Sequence, residues 1–258
     1  DLDYAERLVA GTLRGIPPDS APQLVDSIRA FGCWLKLYRN ETEAIGQWLA
    51  QAPDETVEFC TLNRYLYMMK IYCYIALGKH TEALVLLQRM LAYADYAQRT
   101  YFQMECGVLS AIVLRRKGRP WKQAFLQLLG RIGEYHFVPI LSEKGAAVLP
   151  LLTEVKSCFC AETPAQREWF AQVLEETEHM ARLYPNYLKG TGIDVSAFSD
   201  TALEVLRLQA AGRSTNEIAQ QLHISPRTVK YHASENYRKL QAKNMVDAVQ
   251  IARSLNIL

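Results

Sequence analysis

The chain has 258 residues, half of them apolar, and a formal net charge of +2. No run approaches the ~20 uncharged apolar residues that a membrane span needs, and no signal-peptide pattern opens the sequence. These features exclude a membrane protein and predict a cytoplasmic one. The six cysteines lie mostly in helical patterns, which favours free thiols over a disulfide framework. Because the sequence begins with Asp1, we expect a fragment of a longer protein.

The first ~190 residues predict helix after helix, because apolar residues recur at spacings of three and four and the breaks fall at Pro or Gly. Predicted helices span residues 24–37, 41–51, 57–77, 80–97, 101–117 and 120–131, followed by a helix to about 157 and a long one from 163 to 183. The predicted fold class is therefore all-α.

An internal repeat divides this region. The segments Arg39–Ala44, Gly78–Ala83 and Gly118–Ala124 each lie between two helical patterns, and their alanines recur after 39 and 41 residues. We expect each glycine to close a helix in a left-handed turn and each alanine to let the next helix approach closely. Stacked helical hairpins result, and the array resembles tetratricopeptide-type repeats with a period longer than the usual ~34 residues.

The region after Leu183 predicts a boundary. Tyr187–Phe198 contains two glycines and has no periodicity, which is typical of a linker. We therefore predict a helical repeat domain over residues 1–186, a linker over 187–198 and a four-helix domain over 199–258. The last 59 residues carry a net charge of +3 and the remainder −1, a mild basic excess compatible with nucleic acid.

Two cap signals define a sharp turn in the C-terminal part. Ser214 and Glu217 have the spacing of a capping box, which opens a short helix. Ser225 is a strong N-cap, and Pro226 suits the first position of the next helix. Since so few residues separate the two helices, the pattern predicts a helix-turn-helix unit.

The second of these helices has two faces. An apolar stripe is predicted to pack inward, and it consists of Val229, Ala233, Tyr237 and Leu240. The outward face consists of Arg227, Lys230, Ser234 and Arg238.

Several motifs in this block occur in a fixed order: Glu217-Ile-Ala, Ser225-Pro-Arg-Thr-Val-Lys-Tyr-His and Tyr237-Arg-Lys-Leu. Together they resemble the LuxR-type DNA-binding domain. The resemblance implies that residues 225–240 enter the major groove of double-stranded DNA, and that helix 244–254 pairs two copies on a two-fold promoter site. The DNA-binding residues it implies are Lys230, Tyr231 and Ser234 at base edges, Arg227, Thr228 and Arg238 at phosphates, and Ser214 and Thr215 at the preceding helix. Tyr231 has the alternative of packing on its neighbours.

The block departs from the family pattern at three places. The usual Arg-Glu pair of the leading helix is Thr201-Ala202, and Asn216 stands where a lysine is common. Glu235-Asn236 replaces the customary Asn-Ile, which puts an acid near DNA and an amide in a core position.

The helical array also resembles the C-terminal portion of large MalT-like activators, including the stretch Tyr135–Gly145. That resemblance implies a nucleotide-binding module before Asp1 and an inducer or protein partner sensed by the repeats. The tyrosine-rich segment Tyr65–Tyr74 is a candidate contact, with Arg64, Tyr67 and Lys70 as its outward groups. Each tyrosine has the alternative of a place in the core.

Nothing in the sequence predicts catalysis. Phosphate-binding and dinucleotide-binding glycine motifs are missing, Cys158-Phe-Cys160 has no partner ligands, and the five histidines are scattered. We predict no catalytic residues, no metal and no cofactor. The sequence thus favours a bacterial DNA-binding transcriptional regulator controlled through its repeats. The alternative is a protein-interaction scaffold whose degenerate C-terminal domain no longer reads DNA, which Glu235 and Asn236 favour.

Overall fold

The computed structural model of the protein describes residues 1–17, 22–54, 59–190, 198–254 and 257–258. Across these ranges the regular structure is helical and contains no strand, so the predicted all-α fold is confirmed. Its helices are α1 (Leu2–Gly15), α2 (Pro22–Arg39), α3 (Thr42–Gln51), α4 (Arg64–Ala76), α5 (His80–Tyr96), α6 (Thr100–Arg116), α7 (Lys122–Glu134), α8 (Pro139–Ser142), α9 (Leu149–Val155), α10 (Pro164–Leu183), α11 (Asp200–Ala210), α12 (Thr215–Gln221), α13 (Pro226–Leu240) and α14 (Met245–Ser254).

The first helix was not predicted. In α1 the side chain of Asp1 accepts hydrogen bonds from the backbone amides of Asp3 and Tyr4, yet the helix contains no fully buried residue. The helix predicted from residue 57 begins only at Arg64, after a short 3-10 turn at Thr61–Asn63. Residues 55–58, where that prediction started, lie outside the described residues.

The turns between the repeat helices share one geometry. Gly78 and Gly118 adopt the left-handed conformation, with φ of 72° and 64°, as predicted. The amide after each of them reaches back to the last helical turn, Lys79 to the Tyr74 carbonyl and Arg119 to the Leu114 carbonyl. This pattern satisfies carbonyl groups that the helix end leaves without a partner.

The same turn also forms without glycine. Asn40, Gln98 and His136 are left-handed, with φ of 51–55°, and the residue after each makes the same return bond. The sequence did not predict the turns at Gln98 and His136. The predicted turns depended on glycine, and a glutamine or histidine in the left-handed conformation cannot be recognised from the sequence.

The predicted role of the repeated alanines is correct at one position. Ala83 is fully buried, but Ala44 is partly exposed and Ala124 is exposed. Close approach is instead visible at Cys33 and Cys73, which stand 40 residues apart and bring their Sγ atoms to 3.6 Å. The chain therefore does meet itself after about one repeat length, through thiols on α2 and α4.

Helices α2 to α9 surround one large core, and α10 covers it by packing on α7, α8 and α9. Tyr67 and Phe125 are among the largest side chains that this core buries completely. In the described part of the chain, no helix is both long and apolar enough to cross a membrane.

The C-terminal helices α11 to α14 have two small cores of their own. One forms around Leu206 and Leu240, the other around Val205 and Val229, and Tyr237 packs against both. Helix α14 also contacts α3 of the repeats.

The start of the predicted linker lies in the N-terminal core. Tyr187 and Leu188 are 2% and 0% exposed and pack with the repeat helices. Residues 191–197, most of that predicted linker, lie outside the described residues. The division at 1–186, 187–198 and 199–258 stays a prediction.

Candidate nucleic-acid interface and repeat cavity

The turn between α12 and α13 is built by two polar caps. The Ser214 amide donates to the Glu217 carboxylate at 2.7 Å, and the Glu217 amide donates to Ser214 Oγ at 3.4 Å, so the predicted capping box is present. The hydrogen bond from the Ser214 amide lowers the pKa of Glu217. At the next helix Ser225 Oγ accepts from the Thr228 amide at 3.1 Å. These contacts hold the two helices at a turn closed by left-handed His223, with φ of 53°.

Helix α13 presents a polar face that its packing leaves open. Arg227, Lys230, Tyr231, Ser234 and Arg238 recur at helical spacing and are all exposed, Tyr231 to 63%. The predicted inward residues Val229, Ala233 and Leu240 are buried. The alternative that Tyr231 packs into its surroundings is therefore not seen, although its ring does meet that of His232 edge-on at 5.6 Å.

Three of the predicted DNA-contact residues are partly buried or already hydrogen-bonded within the protein. Thr228 is partly buried and its hydroxyl lies 2.8 Å from Ser225 Oγ, Ser214 serves the capping box, and Thr215 is partly buried in the first turn of α12. Their local roles are structural, and their contacts to DNA stay predictions. In the part of the chain that the structure describes, neither Arg227 nor Lys230 forms an ion pair, so both charges face solvent.

Arg238 differs from Arg227 and Lys230 because it does form an ion pair. Its Nε and Nη2 donate to the two carboxylate oxygens of Glu235 at 3.1 and 2.8 Å. The hydrogen bond from Arg238 lowers the pKa of Glu235, so the acid stays charged at neutral pH. The residue flagged in the sequence as an acid near DNA thus occupies the donors of a predicted phosphate contact.

Asn236, the other departure, has a packing role. It is fully buried, and its Nδ2 donates to the Ala202 carbonyl on α11 at 2.7 Å. Two positions that depart separately from the family pattern therefore meet in space. The sequence showed both departures but gave no sign that they touch.

A second candidate site is a cavity of about 430 Å³ in the repeats, within the usual range for small-molecule sites. Helices α2, α4 and α6 supply most of its wall. Its aromatic lining consists of Phe31, Trp34, Tyr65, Tyr72, Phe102 and Tyr187.

One side of this cavity carries a buried ion pair. Lys144 Nζ lies 3.2 Å from Glu105 Oε1 and 5.2 Å from the centre of the Tyr72 ring, and the Lys144 side chain is only 3% exposed. The Tyr72 hydroxyl donates to the same carboxylate oxygen at 2.7 Å, and burial holds its pKa well above the usual value. The wall of the cavity therefore contains a charge pair whose carboxylate also accepts a hydrogen bond from Tyr72.

Tyr187 connects the cavity to the end of the repeats. Its ring stacks on Tyr38 at 4.3 Å and 12°, and its hydroxyl accepts from Trp34 Nε1 at 3.2 Å. The next carbonyl, of Leu188, accepts from the partly buried guanidinium of Arg116, which also donates to the Ile75 carbonyl. Burial lowers the pKa of Arg116 to about 10, which still leaves it charged at neutral pH.

Of the predicted effector residues, only Arg64 lines the cavity. The expectation that Tyr67 and Lys70 face outward is wrong, because they are 1% and 5% exposed. The Tyr67 hydroxyl accepts from the Cys60 amide, and Lys70 Nζ donates to the Pro53 carbonyl at 2.8 Å. Both lie on the side of α4 that neighbouring segments cover, which a helix so rich in aromatic residues does not reveal.

Groups suited to metal binding are not found within the described ranges: no three His, Cys, Asp or Glu residues come together there. Cys158 and Cys160 are exposed free thiols.

A family model matches the C-terminal part of the chain. Residues 196–252 match the family model "Bacterial regulatory proteins, luxR family". The chain is similar to the transcriptional regulatory protein DesR of Bacillus subtilis (30% identity, 37% of this chain and 47% of that protein) and to the putative HTH-type transcriptional regulator YhjB of Escherichia coli (42%, 25% and 30%). It is also similar to the uncharacterized transcriptional regulatory protein YvfU of Bacillus subtilis (45%, 19% and 24%). The chain spans less than half the length of each of these relatives, and no solved structure matches it significantly.

Proposed function

The C-terminal part of this chain is a helix-turn-helix domain of the luxR family of bacterial regulatory proteins, and from that premise we propose that the protein regulates transcription by binding promoter DNA. The observation that carries the proposal is the exposed polar face of α13. Its residues recur at spacings of three and four, Arg227 and Lys230 face solvent without an ion pair to any residue that the structure describes, and the opposite face is packed against α11 and α12. A helix held in this way suits the major groove.

The proposal is tested by selecting duplexes from a random DNA pool with the full chain. Enrichment of a two-fold sequence is expected, since α14 is the proposed pairing helix. Lys230→Ala should weaken binding to the selected duplex by about 1–3 kcal/mol if the lysine reaches a base edge.

Arg167→Ala is the matched control, because it removes one exposed positive charge from α10, far along the chain from α13. It should leave the affinity unchanged at fixed salt. Equal affinities for wild type and Lys230→Ala would remove Lys230 from the interface, and a pool without enrichment would contradict DNA reading altogether.

A second candidate function, an interaction scaffold that does not read DNA, is favoured by the pairing of Glu235 with Arg238. The two functions differ in salt dependence, because each phosphate contact contributes about 0.9 to the slope of log affinity against log salt. Under the regulator hypothesis, Glu235→Gln frees Arg238, strengthens binding and steepens that slope by about one contact. A scaffold shows no salt-dependent binding with either residue at 235.

We further propose that the repeats control DNA binding through the cavity. The support is Tyr187, which lines the cavity and lies nine residues before residue 196, where the family match begins. Tyr187→Ala should therefore change the Kd for the selected duplex, although Tyr187 precedes that matched domain.

Tyr184→Ala is the control for this test. Tyr184 also meets Tyr38, at 4.6 Å, but does not line the cavity. Circular dichroism establishes that both variants fold. If both shift the Kd equally, or neither does, the cavity has no special connection to DNA binding.

A further inference from the structure

One end of the repeat cavity is negative. Lys144 and Glu105 neutralise each other, and the Tyr72 hydroxyl also binds Glu105. Glu143, which also lines the cavity, is exposed and forms no ion pair with any part of the chain that the structure describes. Glu143 directly precedes Lys144, which pairs with the carboxylate that Tyr72 binds, so its backbone lies beside this group. This end therefore has one uncompensated carboxylate beside aromatic rings, a setting that attracts a cation.

The other end is positive. A smaller cavity of about 360 Å³ adjoins the first and shares Arg64 and Phe102 with it. Arg99 completes this end, next to the first turn of α6 at Thr100. Both arginines are exposed, and neither takes part in an ion pair within the described ranges. Guanidinium groups favour planar anions such as carboxylates.

The two ends are separated by an apolar stretch. Arg64, Met68 and Tyr72 follow one another along one face of α4, and eight residues of helix rise about 12 Å. An α-amino acid is too short to reach both ends, because its ammonium and carboxylate flank a single carbon. Each extended residue adds about 3.3–3.6 Å, so two or three residues suit the distance once the side chains reach inward.

We propose that the two adjoining cavities bind a short apolar peptide with free termini. The peptide ammonium pairs with Glu143, the terminal carboxylate pairs with Arg64 and Arg99, and apolar side chains pack on Met68 and Phe102. This assignment rests on the proposed function, since it names the ligand of the effector cavity. Because Tyr187 lines the same space, the bound peptide touches the segment that leads to the DNA-binding domain.

The test uses the full chain and a pool of tripeptides built from Leu, Met, Phe and Trp. Three forms of the pool are compared by calorimetry: free termini, N-acetylated and C-amidated. The free form should bind, and each blocked form should bind about 10- to 100-fold more weakly, since each loses one charge-assisted contact.

Variants assign each terminus to its end of the site. Glu143→Gln should bind the free pool only as tightly as wild type binds the acetylated pool. Acetylation should then lower the affinity of this variant little further. Arg64→Gln should behave in the same way toward amidation. Glu168→Gln, which changes an exposed carboxylate on α10, should bind the free pool as wild type does.

Three results would overturn the inference: no binding of the free pool, equal binding of all three forms, or losses in Glu143→Gln that do not depend on acetylation. The inference would also be wrong if a simple amine such as 2-phenylethylamine bound as tightly as the peptides. The amine has no carboxylate, so Arg64 and Arg99 would then contribute nothing to binding. DNA affinity of the same samples separates the two proposals. If the protein binds DNA but no peptide, only the proposal that the ligand is a peptide is refuted. If it binds peptide and its Kd for DNA does not change, only the proposal that the cavity regulates DNA binding is refuted.

Discussion

The two parts of this chain reach stability by different means. The repeats enclose one continuous core in which Phe125 and Leu129 are almost completely buried, whereas the C-terminal helices divide their apolar residues between two small clusters. The C-terminal part adds local devices: a capping box, two further serine caps and the buried hydrogen bond of Asn236. A small helical unit buries little apolar surface, so each cap represents a larger share of its stability.

The largest expected effect is in the repeat core. Phe125→Ala removes a ring that is 1% exposed and should cost about 3–5 kcal/mol of unfolding free energy. All four tryptophans lie in the repeats, at positions 34, 48, 121 and 169, so their fluorescence reports unfolding of that part. The fluorescence midpoint in urea should fall. An unchanged midpoint would mean that this core is not continuous.

Leu206→Ala examines the C-terminal part in the same way. Leu206 is fully buried, and the change should cost about 2–5 kcal/mol. Residues 199–258 contain no tryptophan, so the loss should appear in far-ultraviolet circular dichroism while the fluorescence transition stays in place. A shared shift of both signals would show that the two parts unfold as one.

Ser214→Ala should cost about 1 kcal/mol, because it removes one side of the capping box. Glu217 adds a pH dependence to this site. Its folded-state pKa lies below the usual value, so its contribution is present above the unfolded pKa and is lost as pH falls through the folded pKa. The stability difference between wild type and Glu217→Gln should therefore shrink in acid. If the stability difference persisted in acid, the charged Glu217 carboxylate of the capping box would not be its cause.

Gln241→Gly should give the smallest effect, a gain of about 0.5–1 kcal/mol. Gln241 closes α13 with φ of 53°, a conformation that costs a side chain free energy and costs glycine almost none. Gln221→Gly is the contrast, since Gln221 lies within α12 and glycine there should destabilise. Thermal unfolding followed by circular dichroism measures both variants. A lower stability of Gln241→Gly would contradict the view that the left-handed backbone at Gln241 is strained.

Sequence reasoning succeeded where the signal was local. The boundaries of α12 and α13 followed from Ser214, Glu217, Ser225 and Pro226, whose contacts span three residues. The sequence was less informative where a helix is buried on several sides, as for Tyr67 and Lys70 on α4. Aromatic and aliphatic residues lie on all sides of that helix, so the pattern does not show which face is outward. Five of the predicted DNA-contact residues lie on the exposed face of α13, but nothing in the sequence indicated that Glu235 holds Arg238.

The sequence by itself determined the all-α class, the glycine turns and the helix-turn-helix unit, because caps, turns and helical periodicity act within one or two turns of chain. Only the tertiary structure decided the cavity. Trp34 and Tyr187 meet across 153 residues, and Lys144 reaches Glu105 across 39. Such contacts depend on how the hairpins stack, and the free energy that selects a stacking comes from the whole buried surface rather than from any one motif.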